Sequence, residues 1–167
     1  SFDQTVFYIT LSKHYVETAL DMLSQMVGYP LFDSKEIENE REVVIEEIKR
    51  SKDSLSRVSM QNMFSTVFKK HPYGIPVIGY EEVVKKISRD KIVEYYHSQY
   101  SPSNMTLLVV GDFEKKEMTK SVEKYFGDIK NYKTNKIKRK QEEPQKRKCV
   151  SLQQTNFQEA RLALSWK

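Results

Sequence analysis

The chain of 167 residues is poor in the residue types that build disulfide frameworks and self-contained metal sites. Its single cysteine, Cys149, excludes an internal disulfide framework and a zinc site made of several cysteines. The three histidines are His14, His71 and His97, and no two of them stand three or four residues apart. A local pair of histidines that could clamp a metal is therefore absent from the sequence. No apolar run approaches the roughly 18 residues of a membrane span.

The composition indicates a globular protein, and its positive charge is concentrated in one segment. Hydrophobic residues make up 38% of the chain and aromatic residues 11%, and the net charge is +5. Nine basic and two acidic residues fall within residues 130–148, so the rest of the chain is slightly acidic. Tyr132 is the one aromatic residue in that segment. We therefore predict a solvated basic linker, with neither a nucleic acid nor a membrane as partner, and binding to nucleic acid or to an acidic membrane surface is the alternative.

The most informative stretch is residues 39–48 (NEREVVIEEI), which predicts a helix with two acids on one stripe. Glu40 and Glu47 are seven residues apart, which is nearly two full turns at about 100° per residue. Apolar residues at helical spacing share that stripe: Ile37, Val44 and Ile48. We therefore expect both carboxylates to face an apolar interior, where an uncompensated charge is costly.

Two explanations can account for acids on a buried stripe. One is a metal site, because a metal compensates the charge of a carboxylate ligand. The other is an ion-pair network with Arg41, Arg50 or a basic residue on a neighbouring helix, and spacing alone favours this second explanation.

Periodicity and turn residues predict the remaining elements. Helices are expected at about residues 12–27, 33–53, 58–68, 80–87, 88–100 and 114–126. Strands are expected at residues 5–11, 104–110, 149–152 and 160–166. The loop at residues 71–74 (HPYG) is interpreted as a rigid turn that packs Tyr73, with a pocket lining as the alternative.

Several motifs occur in an order that is more specific than any one of them. They are SFDQTVFY at residues 1–8, PLFD at 30–33, EREVVIEEI at 40–48, HPYG at 71–74 with Gly79, YSPSNM at 100–105 and VVGDF at 109–113. In this order they resemble the M16 metallopeptidase family, which includes pitrilysin, insulin-degrading enzyme and the mitochondrial processing peptidases.

The resemblance implies a zinc-dependent endopeptidase that cleaves peptides or unfolded polypeptides by metal-activated water. It implies that Glu47 is a zinc ligand and that Glu40 supports the site without binding the metal. The family's H-x-x-E-H motif, with two histidine ligands and a glutamate general base, does not occur here and would lie upstream of Ser1. We expect the chain by itself to be inactive and to bind zinc weakly at best. The alternative is a non-catalytic structural or regulatory subunit of the same family.

The expected fold is α+β, an M16 metallopeptidase-like (LuxS/MPP-like) sheet with packed helices, truncated at both ends. Residues 1–129 would be the C-terminal part of an N-terminal peptidase domain, residues 130–148 a linker, and residues 149–167 the first strands of the following domain. The expected partners are a peptide substrate and either a second copy or the remaining domains of the family. We expect a cytoplasmic location, with the periplasm or an organelle as alternatives.

Overall fold

The computed structural model describes residues 1–134 and 137–166, and its regular secondary structure in these ranges is helical. The α-helices are α1 (Val16–Gly28), α2 (Ser34–Lys52), α3 (Leu55–Val67), α4 (Glu81–Val84), α5 (Arg89–Gln99) and α6 (Lys115–Phe126). Short 3₁₀ turns occur at Lys13–Tyr15, Pro72–Gly74 and Pro102–Asn104. In the part of the chain that is described, no helix is both long enough and apolar enough to cross a membrane.

The expected α+β sheet is wrong, because no β-strand forms among residues 1–134 and 137–166. The four segments with strand-like composition lack a paired neighbour, and most of their apolar side chains are exposed to solvent. Leu108 and Val110 are 81% and 86% exposed, and Leu162 is 87% exposed. Alternating and β-branched residues favour a half-buried extended backbone, but a strand also needs hydrogen bonds to a second backbone. The composition of a segment does not show whether that second backbone is present.

The helix predictions are confirmed, with shifts of a few residues at the ends.

The chain forms two compact units, and the first comprises Ser1–Asp3, Lys35–Ile87 and Ile137–Lys167. The second comprises Gln4–Ser34 and Ser88–Lys136.

In the second unit, α1 packs against α6. The residues Ala19 and Leu20 of α1 and Met118 of α6 are buried. The contact is closed at its edge by Glu17, whose carboxylate accepts hydrogen bonds from the Ser121 hydroxyl and from Lys124 Nζ. These charge-assisted hydrogen bonds fix how the two helices meet.

Helix α5 begins and ends with contacts that hold the loops around it. The Ser88 hydroxyl accepts from the Lys91 N–H at 3.3 Å, so Ser88 is the N-cap of this helix. Near the other end, the Tyr96 hydroxyl donates to the carbonyl oxygen of Val27 at 2.8 Å. The fully buried Ser101 hydroxyl donates to Asn131 Oδ1 at 2.6 Å and accepts from the Tyr132 N–H at 3.0 Å.

The loop before α2 contains a strained residue. Phe32 has a φ of 51°, a left-handed conformation that costs a residue with a Cβ about 1–2 kcal/mol. Two contacts offset that cost: its ring meets Tyr96 at 5.2 Å, and its carbonyl oxygen accepts from Arg89 Nε at 2.7 Å. The PLFD motif therefore encodes a turn that its surroundings hold in place.

In the first unit, the HPYG turn is bound by the segment that was predicted to be a solvated linker. One carboxylate oxygen of Glu142 accepts from the backbone N–H groups of both Lys70 and His71, at 2.7 and 2.9 Å. Glu143 pairs with the Lys70 side chain, and Arg139 pairs with Asp3. Glu142 and Glu143 therefore hold the basic segment against the HPYG turn, in addition to lowering the net charge of that segment.

The anchoring role of Glu142 predicts a local change in hydrogen exchange. In Glu142→Ala the N–H groups of Lys70 and His71 lose their acceptor, so their exchange should accelerate while the amides of α3 keep their protection. Glu143→Ala, which removes only an exposed ion pair, is the matched control and should leave both amides protected. Unchanged exchange at Lys70 and His71 in Glu142→Ala would contradict the contact.

The contact between α1 and α6 predicts an acid-sensitive stability. Hydrogen bonds from Ser121, then from Lys124 and Tyr125, lower the pKa of Glu17 from 4.5 to about 2. Because the folded state favours the charged form, this contribution is complete at neutral pH and is lost as the pH falls from about 4.5 to about 2. The thermal midpoint of Glu17→Gln should therefore lie below that of the parent protein at about pH 7, and the gap should close towards pH 2.

The control for this series is Glu123→Gln on α6, which removes an exposed carboxylate of the same type. Its midpoint should follow that of the parent protein at every pH. A gap for Glu17→Gln that stays constant with pH would show that the pairing does not contribute through the charge of Glu17.

Candidate functional site

Helix α2 carries both acids that the sequence singles out. Its length of 19 residues is supported by pairs of opposite charge three residues apart. Arg41 Nε donates to Glu38 Oε2 at 2.9 Å, and Lys49 Nζ donates to Glu46 Oε1 at 2.6 Å. These pairs hold their side chains along the helix surface.

The buried face of α2 differs from the predicted one in one important respect. Ile48 is buried at 5% exposure, and Ile37, Arg41 and Val44 are half-buried on the same side. Glu40 and Glu47 share a face, as their spacing predicts, but both are exposed. They lie roughly 70–90° around the helix axis from the centre of the buried face. The expectation that they point into an apolar interior is therefore wrong for the part of the chain that is described.

The two acids also lie outside the ion pairs of the helix. Arg41 pairs with Glu38, and this hydrogen bond lowers the pKa of Glu38. Lys49 pairs with Glu46, which raises the pKa of Lys49. In the described ranges, neither Glu40 nor Glu47 forms an ion pair. The ion-pair network that spacing alone favoured is thus absent around these two carboxylates.

The donor set of α2 fits part of a zinc site. Carboxylate oxygen is one of the ligand types that zinc takes. An exposed glutamate without an ion pair can bind a cation with little cost in desolvation and without breaking another contact. Among the residues that the structure describes, however, no group of three or more His, Cys, Asp or Glu side chains converges to hold a metal. The chain can therefore contribute carboxylates from α2 to a site whose other ligands lie outside these residues.

The HPYG turn is the second candidate from the sequence, and its interpretation as a packing turn is confirmed. The Tyr73 ring contacts Phe2, Phe68 and His71, with centroids 4.9, 5.3 and 4.3 Å away. Its hydroxyl donates to Asp3 Oδ2 at 2.6 Å, and this bond raises the pKa of Tyr73. The turn also borders an open cavity of about 520 Å³, so His71 both packs and lines a surface depression.

The sequence interpretation named Arg41 only as a possible ion-pair partner of Glu40 and Glu47, and it missed the bonds of Arg41 to backbone carbonyls. Its side chain is only 13% exposed, and its guanidinium donates to the carbonyl oxygens of Val84 and Ile87 as well as to Glu38. A signal was available, because Arg41 lies four residues after Ile37 and seven before Ile48, on the apolar stripe itself.

Comparisons with known proteins agree on one family. Residues 1–81 match the family described as "Insulinase (Peptidase family M16)", and residues 86–167 match the one described as "Peptidase M16 inactive domain". Val84 lies between the two matched ranges.

Relatives with names are similar over most of this chain. An uncharacterized zinc protease of Bacillus subtilis, YmxG, is 28% identical over 89% of this chain and 39% of its own length. A probable mitochondrial-processing peptidase subunit beta of Schizosaccharomyces pombe is 25% identical over 76% of this chain and 28% of its own length.

Solved structures show the same relationship. A protease from Helicobacter pylori matches with a TM-score of 0.71 and 26% identity, over 77% of this chain and 31% of its own. The ferredoxin protease FusC was solved as a point mutant in complex with Arabidopsis ferredoxin. It matches with a TM-score of 0.69 and 25% identity, over 76% of this chain and 14% of its own. The chain thus spans well under half the length of these relatives. With matches along nearly all of its residues, the chain belongs to the M16 family of peptidases.

Proposed function

We propose that this chain is part of a zinc-dependent endopeptidase that cleaves peptides or unfolded polypeptides. In this proposal Glu47 binds the zinc, and Glu40 supports the site without touching the metal. The names of the relatives support the reaction class, since they include zinc proteases and a processing peptidase. The general base and two histidine ligands would come from an H-x-x-E-H segment outside these 167 residues.

The observation that carries the proposal is the state of the two acids on α2. Glu40 and Glu47 project from one exposed face and form no ion pair in the ranges described, although basic residues stand nearby on the same helix. Arg41 and Lys49 are instead engaged by Glu38 and Glu46. A pair of carboxylates kept apart from the available cations can bind a metal or its histidine ligands.

The spacing of the two acids supports a division of roles between them. Seven residues of α-helix separate their Cα atoms by about 10.5 Å along the axis. One carboxylate can therefore reach a metal while the other lies further along the face, where it can accept a hydrogen bond from a ligand. Zinc, when bound, would supply a Lewis acid and a water of lowered pKa. The part of this chain is to hold a carboxylate oxygen at the site and to keep the helix that carries it in place.

Partners and arrangement follow from the same proposal. The relatives include a protein named as a subunit and one solved in complex with ferredoxin. For this chain we propose a polypeptide substrate and pairing with the remaining domains of the family or with a second copy. Residues 1–129 would belong to the peptidase domain, residues 130–148 would link it to the next domain, and the cytoplasmic location stays a prediction.

A non-catalytic subunit is the second candidate. The observation in its favour is the match of residues 86–167 to a family domain described as inactive. The two candidates differ in the residues encoded before Ser1, because a catalytic protein requires H-x-x-E-H there and a non-catalytic subunit does not.

The role of Glu47 predicts a loss of metal. In the complete polypeptide, Glu47→Gln should abolish stoichiometric zinc binding, because the amide is a poorer ligand than the carboxylate. Glu40→Gln should weaken zinc affinity about ten- to a hundredfold, as expected for a group that acts on a ligand. Metal content after dialysis and competition with a chromophoric chelator measure both effects.

The matched control is Glu42→Gln, which removes an exposed carboxylate of the same helix from a different side. It should leave zinc affinity unchanged. Full zinc occupancy in Glu47→Gln would mean that another residue is the ligand and would contradict the proposed site.

A further inference from the structure

The Arg41 guanidinium donates to three groups, which are the Glu38 carboxylate and the backbone carbonyls of Val84 and Ile87. Its Nε and Nη2 bind the two carboxylate oxygens of Glu38 at 2.9 and 3.0 Å, in the two-pronged geometry that guanidinium and carboxylate favour. Its Nη2 also donates to the carbonyl oxygen of Ile87 at 2.8 Å, and its Nη1 donates to that of Val84.

The carbonyl of Val84 is an acceptor that the short helix α4 leaves open, and the carbonyl of Ile87 lies in the turn after that helix. The last carbonyls of any helix have no partner within the helix. Here the N–H groups of Lys86 and Ile87 both donate to the carbonyl of Val83, so they do not reach the carbonyl of Val84. A cation at this end of α4 also meets the negative end of the helix dipole. Arg41 therefore caps α4 from a different helix.

Charge at the other end of α4 also links it to α2. Glu81 forms an ion pair with Lys85, and this hydrogen bond is the main reason for its lowered pKa. Lys52 and Lys49 on α2 lower it further through their charge. The C-terminal part of α2 therefore lies near the start of α4, while Arg41 reaches its end.

We propose that Arg41 is a positioning residue: by holding the carbonyls of Val84 and Ile87, it fixes the rotation of α2 about its own axis and so directs Glu40 and Glu47 outward on one face. The inference rests on the proposed function, because that proposal assigns Glu40 and Glu47 their roles at the zinc site. Because Arg41 and Ile48 lie on the buried side, rotation of the helix would carry the acids away from their position. The hydrogen bonds of Arg41 specify one rotation of α2 about its axis. The apolar contacts of Ile48 alone would not specify it.

Two variants separate the donors of Arg41 from its bulk. Arg41→Met keeps a long stem against the core but donates no hydrogen bond, whereas Arg41→Lys keeps a charged donor within reach of the carbonyls. Arg50→Met is the matched control, since Arg50 is exposed near the end of the same helix. All are made in the complete polypeptide with Cys149→Ser, which removes the exposed native thiol.

The first measurement is independent of metal. Nitroxide labels at Glu42→Cys on α2 and Glu82→Cys on α4, both exposed positions, report the relation of the two helices by electron paramagnetic resonance. We expect one narrow distance distribution in the parent and in Arg50→Met, a broadened one in Arg41→Met, and a narrow one restored in Arg41→Lys. A narrow distribution in Arg41→Met, or a failure of Arg41→Lys to restore it, overturns the proposal.

The second measurement is zinc affinity by chelator competition on unlabelled protein. Arg41→Met should weaken zinc binding about ten- to a hundredfold, the range seen when a group that orients a ligand is removed, and Arg50→Met should not change it. Equal affinity in Arg41→Met and the parent overturns the positioning role, provided that Glu47→Gln weakens binding. If Glu47→Gln leaves zinc unchanged, it is the proposed metal site that fails, and the label distances still decide the role of Arg41.

Folding of Arg41→Met is checked by far-ultraviolet circular dichroism. If that variant does not fold, Arg41→Gln takes its place, because its amide can donate to one carbonyl but cannot pair with Glu38 as a cation. The same two readings and the same outcomes then apply.

Discussion

The hydrogen bonds of the Arg41 guanidinium to two backbone carbonyls are the constraint on which the site depends. The last carbonyls of a helix have no partner within the helix, so α4 and the turn after it leave acceptors open to a donor from elsewhere. Arg41 supplies it from α2, and with Ile48 it defines the inner side of that helix. The face that carries Glu40 and Glu47 is outward as a consequence, and the acids need no buried compensation.

The same pattern, in which a polar side chain satisfies backbone groups of another segment, recurs in both units. Glu142 accepts from two consecutive N–H groups at the HPYG turn in the first unit. Ser101 binds the backbone of Tyr132 in the second unit. Small apolar cores leave limited stabilisation from burial, so directed contacts of this kind decide where the loops lie.

The helices could be predicted because their signals come from residues a few positions apart. The wrong predictions concern strands and a buried face, which depend on residues far away in the chain. Ser88 and its spacing to Lys91 mark the start of α5 by a contact that spans three residues. A strand depends on a partner backbone that can lie anywhere, which the alternation at residues 160–166 does not reveal. The spacing of Glu40 and Glu47 placed them on one face, but it could not say which face is buried, because Arg41 was considered only as an ion-pair partner of these acids and not as part of the buried face. The family resemblance assigned a role to each acid, and their exposure and lack of ion pairs came only from the structure.

A crystal structure of the complete polypeptide with zinc bound tests the central claim most directly. The account predicts a Glu47 carboxylate oxygen about 2.0–2.2 Å from the metal, while Arg41 still donates to the carbonyls of Val84 and Ile87. Zinc held by other groups with Glu47 in solvent, or an α2 turned so that Arg41 has left those carbonyls, would contradict it.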